Sequence, residues 1–468
     1  MNVWRSRLSR LLVVAAVVGL GPHAAWGRVV VRPNVVVILV DDLGWSDLSC
    51  FGGEPGAMPH IDRLAGEGVR FRSFYANAPI CSPSRVALLT GQYPHRWGIT
   101  SYLDNRAANK ARGMANWLDA RAPVLARELK RAGYRTGHFG KWHMGGQRDV
   151  GDAPDIADYG FDRSLTNFEG LGPRVLPLCD AGDARPPRRH DLGSAALGRG
   201  PIQWHDRSSI TTTYVDAALS CIDDATSKDE PFFINLWLDD VHSPFYPPGG
   251  PRGRGKRADY LAVLEAMDAQ LATLFSRLRD DKHLLRNTLV MLLSDNGPED
   301  RAGSSQPLRA GKGWLYEGGI RSPLIVWAPG LMAADAIGTV NDRSVFCSLD
   351  LVRSLYSLTS TPLPEGASLD GEDVSATLLG QAATGRDSPI CWRRPPDRPG
   401  TKQEDNPDLA VRAGRWKYCV NEDGSRPQLF DLSADASEDV DVAAKEPETV
   451  ARLHRAVMEW DREMRTSQ

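Results

Sequence analysis

The chain has 468 residues, of which 42% are hydrophobic and 25% charged, and 56 Lys plus Arg stand against 59 Asp plus Glu for a net charge of −3. This composition excludes a disordered tail, a collagen and a coiled coil, and the single long apolar run excludes a polytopic membrane protein. The balanced charge leaves no electrostatic footprint for nucleic acid, and the length predicts one large domain with a smaller companion.

Arg5, Arg7 and Arg10 precede the apolar run Leu11 to Leu20, and small residues follow as far as Gly27. That order predicts a secretory signal peptide over residues 1–27 and a secreted or periplasmic mature protein. The apolar run is short for a span of about 20 residues, so no membrane span is expected after cleavage. The seven cysteines are odd in number, include no CxxC pair and are too sparse for a disulfide scaffold. A buried small hydrophobe is the expected role for most of them.

The mature chain opens on Asn34 and the run Val35–Val40, whose continuous β-branched character predicts a strand buried on both faces of a parallel sheet. Similar runs recur at Phe232–Leu238, Leu289–Leu293 and Leu324–Trp327, with a weaker strand at Tyr134–Phe139. Between them, Pro123–Ala132 has Pro at its start and Gly133 past its end, and Asp259–Arg279 places leucines and Met267 at helical spacing. The alternation predicts an α/β fold with helices on both faces of a mostly parallel sheet. Residues 165–210, rich in Gly, Pro and Arg, are expected as long loops, and 393–408 as a linker. Short strands at Leu409–Arg412, Trp416–Val420 and Gln428–Leu432 and a helix at Glu446–Met464 predict a small antiparallel sheet with a closing helix.

In open α/β sheets, ligands bind beyond the carboxyl ends of the strands. Val40 is followed by Asp41 and Asp42, Leu293 by Ser294-Asp295-Asn296-Gly297, Leu238 by Asp239-Asp240-Val241-His242, and Phe139 by Gly140-Lys141-Trp142-His143. Singly, each Asp fits a helix cap and Asn-Gly a turn. Together, Asp41, Asp42, Asp295 and Asn296 form an all-oxygen set suited to Ca²⁺ or Mg²⁺ rather than zinc. Cys81 stands in Ile80-Cys81-Ser82-Pro83-Ser84-Arg85, with Thr90-Gly91 beyond. Ser82 as cap, Pro83 in the first turn and Gly91 at the end predict a helix whose N-terminus, with its affinity for anions, lies just after Cys81.

Cys81-Ser-Pro-Ser-Arg85 with Leu-Leu-Thr-Gly91 resembles the C-x-P-x-R signature of the type I sulfatases, near their arylsulfatase-A-like and N-acetylgalactosamine-6-sulfatase-like members. Gly140–Gly145, Val241–Pro244, Ser294–Gly297, Leu308–Gly313 with Tyr316–Pro323, and Trp416-Lys417 with Leu429–Leu432 resemble that family's further motifs, in family order. The resemblance implies an alkaline-phosphatase-like fold with a sulfatase catalytic domain over 28–385 and a C-terminal subdomain over 386–468. It implies that Cys81 is converted to Cα-formylglycine by a formylglycine-generating enzyme. It further implies one Ca²⁺ held by Asp41, Asp42, Asp295, Asn296 and the residue made from Cys81. In the roles it implies, Arg85, Lys141 and Lys312 neutralise the sulfate, His143 holds the formylglycine hydrate and His242 is the acid for the leaving alcohol. Arg309 is a weaker extra contact outside this set. The activity implied is a sulfuric ester hydrolase acting on a sulfated carbohydrate or an aryl sulfate. Two alternatives stay open: a phosphodiester or phosphonate monoester hydrolase sharing the nucleophile, and a silent glycan-binding protein if Cys81 is unmodified. His60, His95, His138 and His190 are expected in surface or core roles, and the 185–190 basic cluster as a solvated loop.

Overall fold

The structure is a computed structural model, described here for residues 32–180, 185–249, 255–394 and 406–466. The predicted signal segment and residues 395–405 of the predicted linker lie outside the described residues.

The long apolar runs become the centre of a 12-stranded sheet. Asn34–Val40 lies between Phe232–Leu238 and Thr288–Ser294, parallel to both, and Arg135–Gly140 continues the parallel order on the far side of Phe232–Leu238. Side chains of Asn34–Val40 alternate between two cores. Val35, Val37 and Leu39 join one, and Val36, Ile38 and Val40 the other. Each fully buried aliphatic side chain contributes about 1.5–3 kcal/mol, and a strand that does so on both faces has no polar side to alternate with. Helices Ile210–Ser227 and Lys256–Asp280 cover one face, and Cys81–Thr90, Leu125–Arg131 and Ser348–Leu358 the other.

Arg321–Trp327 departs from the parallel expectation for these runs: it runs antiparallel to both Thr288–Ser294 and Val69–Tyr75. The connection from Ser294 leaves the carboxyl edge of the sheet and returns to it, so the next strand has to run backwards. Residues 165–210 also depart from the loop expectation. Arg163–Thr166, Arg174–Cys179 and Ile202–Asp206 extend the sheet in parallel, with Arg188–Arg189 antiparallel to the second of these. Their short, mixed sequences carry no apolar period to read.

The small sheet has four antiparallel strands, Ile390–Arg393, Leu409–Ala413, Trp416–Val420 and Gln428–Asp431, covered by helix Pro447–Thr466. Its first strand, not expected from the sequence, ends where the expected linker 393–408 begins. Trp392 in that strand packs on Tyr75 of the large sheet and donates its indole N–H to the carbonyl of Ala76 at 2.7 Å. All seven cysteines are free thiols and six are buried, in line with the expectation of small core hydrophobes. No helix among the described residues is long and apolar enough to cross a membrane.

Candidate active site

Strand register alone gathers the acidic residues. Val40 pairs with Leu238 on one side and Ser294 on the other, so the next residues on three adjacent strands are Asp41, Asp239 and Asp295. Neighbouring strands lie about 4.8 Å apart. Asp42 turns off the strand in the left-handed region (φ 62°), a conformation Asp tolerates, and its N–H donates to Asp295 Oδ1 at 3.2 Å. Gly140 ends its strand at φ 110°, and a Cβ there would stand 1.9 Å from the Trp237 carbonyl. Only glycine lets the chain turn so closely, and the turn delivers Lys141 to the acidic group.

The charges interlock. Oxygens of Asp41, Asp42 and Asp295 come within 4.8 Å of one another. Lys141 Nζ lies 2.6 Å from Asp41 Oδ2, and Lys312 Nζ 2.5 Å from Asp42 Oδ2. Arg85 is fully buried; its Nη2 donates to Asp295 Oδ2 at 2.8 Å, and its Nη1 to the Lys141 carbonyl at 2.8 Å. Burial works against the Asp41 anion, but Lys141 and Arg85 outweigh it and hold its carboxyl well below the usual range. Burial, with the neighbouring Asp41 charge, pushes Asp295 well above it. Three buried carboxylates thus crowd together beside Lys141, Lys312 and Arg85.

The crowded carboxylates fit a divalent cation. Among the described residues, Asp41 Oδ1 and Asn296 Oδ1 are buried without a hydrogen-bond donor, while Asn296 turns its Nδ2 to Asp42 Oδ1 at 2.7 Å. Buried oxygens without partners are costly unless something positive meets them. The donors are hard oxygens only, the set that suits Ca²⁺ or Mg²⁺. The predicted metal residues Asp41, Asp42, Asp295 and Asn296 thus come together.

Cys81 opens the helix Cys81–Thr90, all ten residues of which are buried. The expected cap is corrected by one turn position: Ile80 is the N-cap, and Ser82 instead accepts a hydrogen bond from the Leu103 N–H at 3.0 Å. Cys81 is therefore the first residue of the helix rather than the one before it, with the same field from the free N–H groups. It faces a pocket of about 490 Å³ shared with Lys141, His143, His242 and Lys312. His143 (φ 54°) directs Nε2 to the Leu103 carbonyl at 2.9 Å, which leaves Nδ1 as a buried acceptor without a donor. Burial pushes its pKa down to about 4, against the pull of Glu169. His242 directs Nδ1 to the Ser243 carbonyl at 2.8 Å, and its Nε2 lies 3.8 Å from Asp42. Burial, aided by Lys312 and Lys141, pushes it down to about 4 as well. All the predicted catalytic residues, Arg85 from behind Asp295 included, are brought to one place.

Other expectations divide. His138 is a core residue between Trp142 and Trp237. Arg309 lies away from the pocket, 3.8 Å above the Tyr316 ring, with Nη1 donating to the Glu438 carbonyl. His190 is corrected: it lines the pocket and stands edge-on to Phe168. Sequence reasoning missed Glu169, which lines the pocket and places Oε2 3.3 Å from His143 Nε2. It also missed Arg207, buried against Asp239 at 2.9 Å. Neither has a motif around it; the strand-end position of Asp239 was the nearest signal.

Comparison with known proteins agrees with this geometry. Residues 33–361 match the sulfatase family. The chain is 31% identical to the N-acetylgalactosamine-6-O-sulfatase of Bacteroides thetaiotaomicron, over 90% of this chain and 92% of that one. It is 32% identical to human arylsulfatase A, over 92% and 88%. The crystal structure of Ps i-CgsB in complex with k-i-k-neocarrahexaose superposes with a TM-score of 0.74 at 26% identity, covering 93% of this chain and 94% of that one. With its carboxyl-edge site, its mostly parallel sheet of alkaline-phosphatase-like architecture and these relatives, the chain belongs to the sulfatase family.

Proposed function

We propose that the protein hydrolyses a sulfate ester on a sulfated carbohydrate, with a formylglycine made from Cys81 and one bound Ca²⁺. The observation that carries this reading is the placement of Cys81 at a buried helix N-terminus beside Lys141, His143, His242 and Lys312, in a pocket of about 490 Å³. The carbohydrate substrate is supported by the relatives named above. A cation held by Asp41, Asp42, Asp295 and Asn296 would polarise the sulfate. The aldehyde hydrate derived from Cys81 would supply the nucleophilic oxygen.

The chain's own groups do the rest. Lys141 and Lys312 flank the place of the sulfate and neutralise the charge that spreads over its oxygens, a preorganised arrangement of the kind that dominates catalytic stabilisation. Arg85 braces Asp295 and the Lys141 carbonyl together. His143, with Nε2–H given to Leu103, offers Nδ1 as the acceptor for a hydrate hydroxyl. His242, with Nδ1–H given to Ser243, keeps Nε2 for the leaving oxygen. The arriving sulfate brings negative charge to Nε2, which favours the imidazolium and the proton the leaving alcohol takes.

A formylglycine-generating enzyme would act on Cys81 during maturation, and the arginine-led N-terminal segment supports export to the periplasm or outside the cell. The test is the mass of the Cys81 peptide from protein made in its natural host, together with turnover of a sulfate and a phosphate ester of one alcohol. An aldehyde at position 81 and sulfate turnover are expected. An intact thiol, or faster phosphate release, would overturn the proposal.

A further inference from the structure

The pocket beyond the reacting group has an unusual balance of charge. Its remaining cations are already engaged: Arg148 Nε lies 2.6 Å from Asp104, and Arg207 Nη1 2.9 Å from Asp239. Glu169 lines the same pocket, is 6% exposed, and leaves Oε2 without a hydrogen-bond donor among the described residues, because His143 Nε2, 3.3 Å away, is turned to the Leu103 carbonyl. The residue is anchored through its main chain. Its backbone N–H donates to Asn167 Oδ1 at 2.8 Å, and its carbonyl accepts from the His143 N–H at 2.7 Å. Asn167 is in turn tied to Asp239 through Nδ2 at 2.8 Å.

A buried carboxylate oxygen with no donor is a vacancy for an N–H or O–H. In the proposed function its neighbour His143 meets the reacting group, so the donor that fits belongs to the part of the substrate next to the ester. A second anion in that position would meet Glu169 with no free cation to offset it.

We infer that Glu169 is a specificity-determining residue: it selects a substrate whose atom adjacent to the sulfated one carries a free hydroxyl or amide N–H, and rejects a second sulfate or carboxylate there. The substrate class is thus a residue with a single sulfate and a donor beside it. This inference rests on the hydrolase reading above.

The experiment uses protein whose Cys81 conversion has been established by peptide mass. Sulfate release is measured from phenyl sulfate, catechol monosulfate and catechol disulfate. Catechol monosulfate is expected to have the highest kcat/KM, exceeding the disulfate by about tenfold or more per ester group, the range of a hydrogen bond to a charged partner. Glu169→Gln should bring the monosulfate-to-disulfate ratio down by about tenfold, and Glu169→Asp should restore part of it. The ratio, not the absolute rate, is the readout, because any change at Glu169 also disturbs His143. Equal turnover of monosulfate and disulfate, or a ratio unchanged in Glu169→Gln, would overturn the inference alone. No release from any of the three by converted enzyme would overturn the hydrolase reading, and the inference with it.

Discussion

Lys417 offers a stringent test of how the small sheet is joined to the site. Its side chain is fully buried, with Nζ 3.1 Å from Glu317 and 2.8 Å from Glu438. Glu438 also accepts the Glu317 backbone N–H at 2.6 Å, and Glu317 starts the turn whose Gly319 carbonyl accepts from Gly297, next to Asn296. Lys417→Met removes the cation between the two carboxylates; Glu317 keeps Arg321 Nη1 at 3.3 Å, while Glu438 loses its ion pair in the core. Breaking a buried pair in this way costs about 3–5 kcal/mol. A unit as long as residues 32–468 has an unfolding entropy of about 0.9 kcal/mol/K, so the expected fall in Tm is about 3–6 °C. The pH dependence has a definite sign. Burial, opposed by Lys417, raises Glu438 from 4.5 to about 7. The folded state therefore holds a proton that the unfolded chain releases, and stability declines as pH rises from 4.5 to 7. Without Lys417 the carboxyl is driven higher still, so the Tm deficit of the variant should be larger at pH 8 than at pH 5. Differential scanning calorimetry at the two pH values measures both quantities. A deficit under 1 °C, or one that shrinks with rising pH, would refute the reasoning. Glu438→Gln placed on top of Lys417→Met should recover part of the loss at pH 8.

Two further outcomes are expected. Ca²⁺ should stabilise the wild type by about 2.7 kcal/mol at a hundred times its Kd, and Asp295→Asn or Asp41→Asn should lose most of that gain; equal calcium shifts in wild type and variants would place the cation elsewhere. Gly140→Ala should yield little soluble protein, because its Cβ would press on the Trp237 carbonyl in a left-handed backbone; normal yield and an unchanged circular dichroism spectrum would show that the turn adapts.

The central strands and the acidic ends were legible because a doubly buried strand has to be apolar throughout, and its first polar residue marks the edge. Val40 followed by Asp41, and Ser294 by Asp295, carry that signal in two adjacent letters. Register, which places Asp41 beside Asp295, was not written locally, but a parallel sheet with common ends produces it. The reversal of Arg321–Trp327 left no trace, since an antiparallel strand buried on both faces has the same composition as a parallel one. Ile390–Arg393 was hidden by the proline-rich stretch that follows it. Ser82 looked like a cap by residue type, yet a partner 21 residues away claims its hydroxyl. Glu169 and Lys417 show the same limit from the other side. A buried charge announces itself only through what surrounds it, and those surroundings come from distant parts of the chain.

The backward strand Arg321–Trp327 has a consequence for how such a site can change over evolutionary time. The segment between Ser294 and Arg321 leaves and re-enters the same sheet edge, on neighbouring strands. Lys312 is carried on that loop rather than on a strand, held by its N–H to the Pro298 carbonyl at 2.8 Å and by the Gly313 N–H to the Pro79 carbonyl at 2.8 Å, so its place depends on loop contacts and not on sheet register. Asp41 and Asp295 follow directly on strand ends, and a one-residue slip in those strands would turn every core side chain to the wrong face. The site thus joins groups fixed by sheet register to one fixed by loop contacts, and a change in the loop can move Lys312 without disturbing the strands.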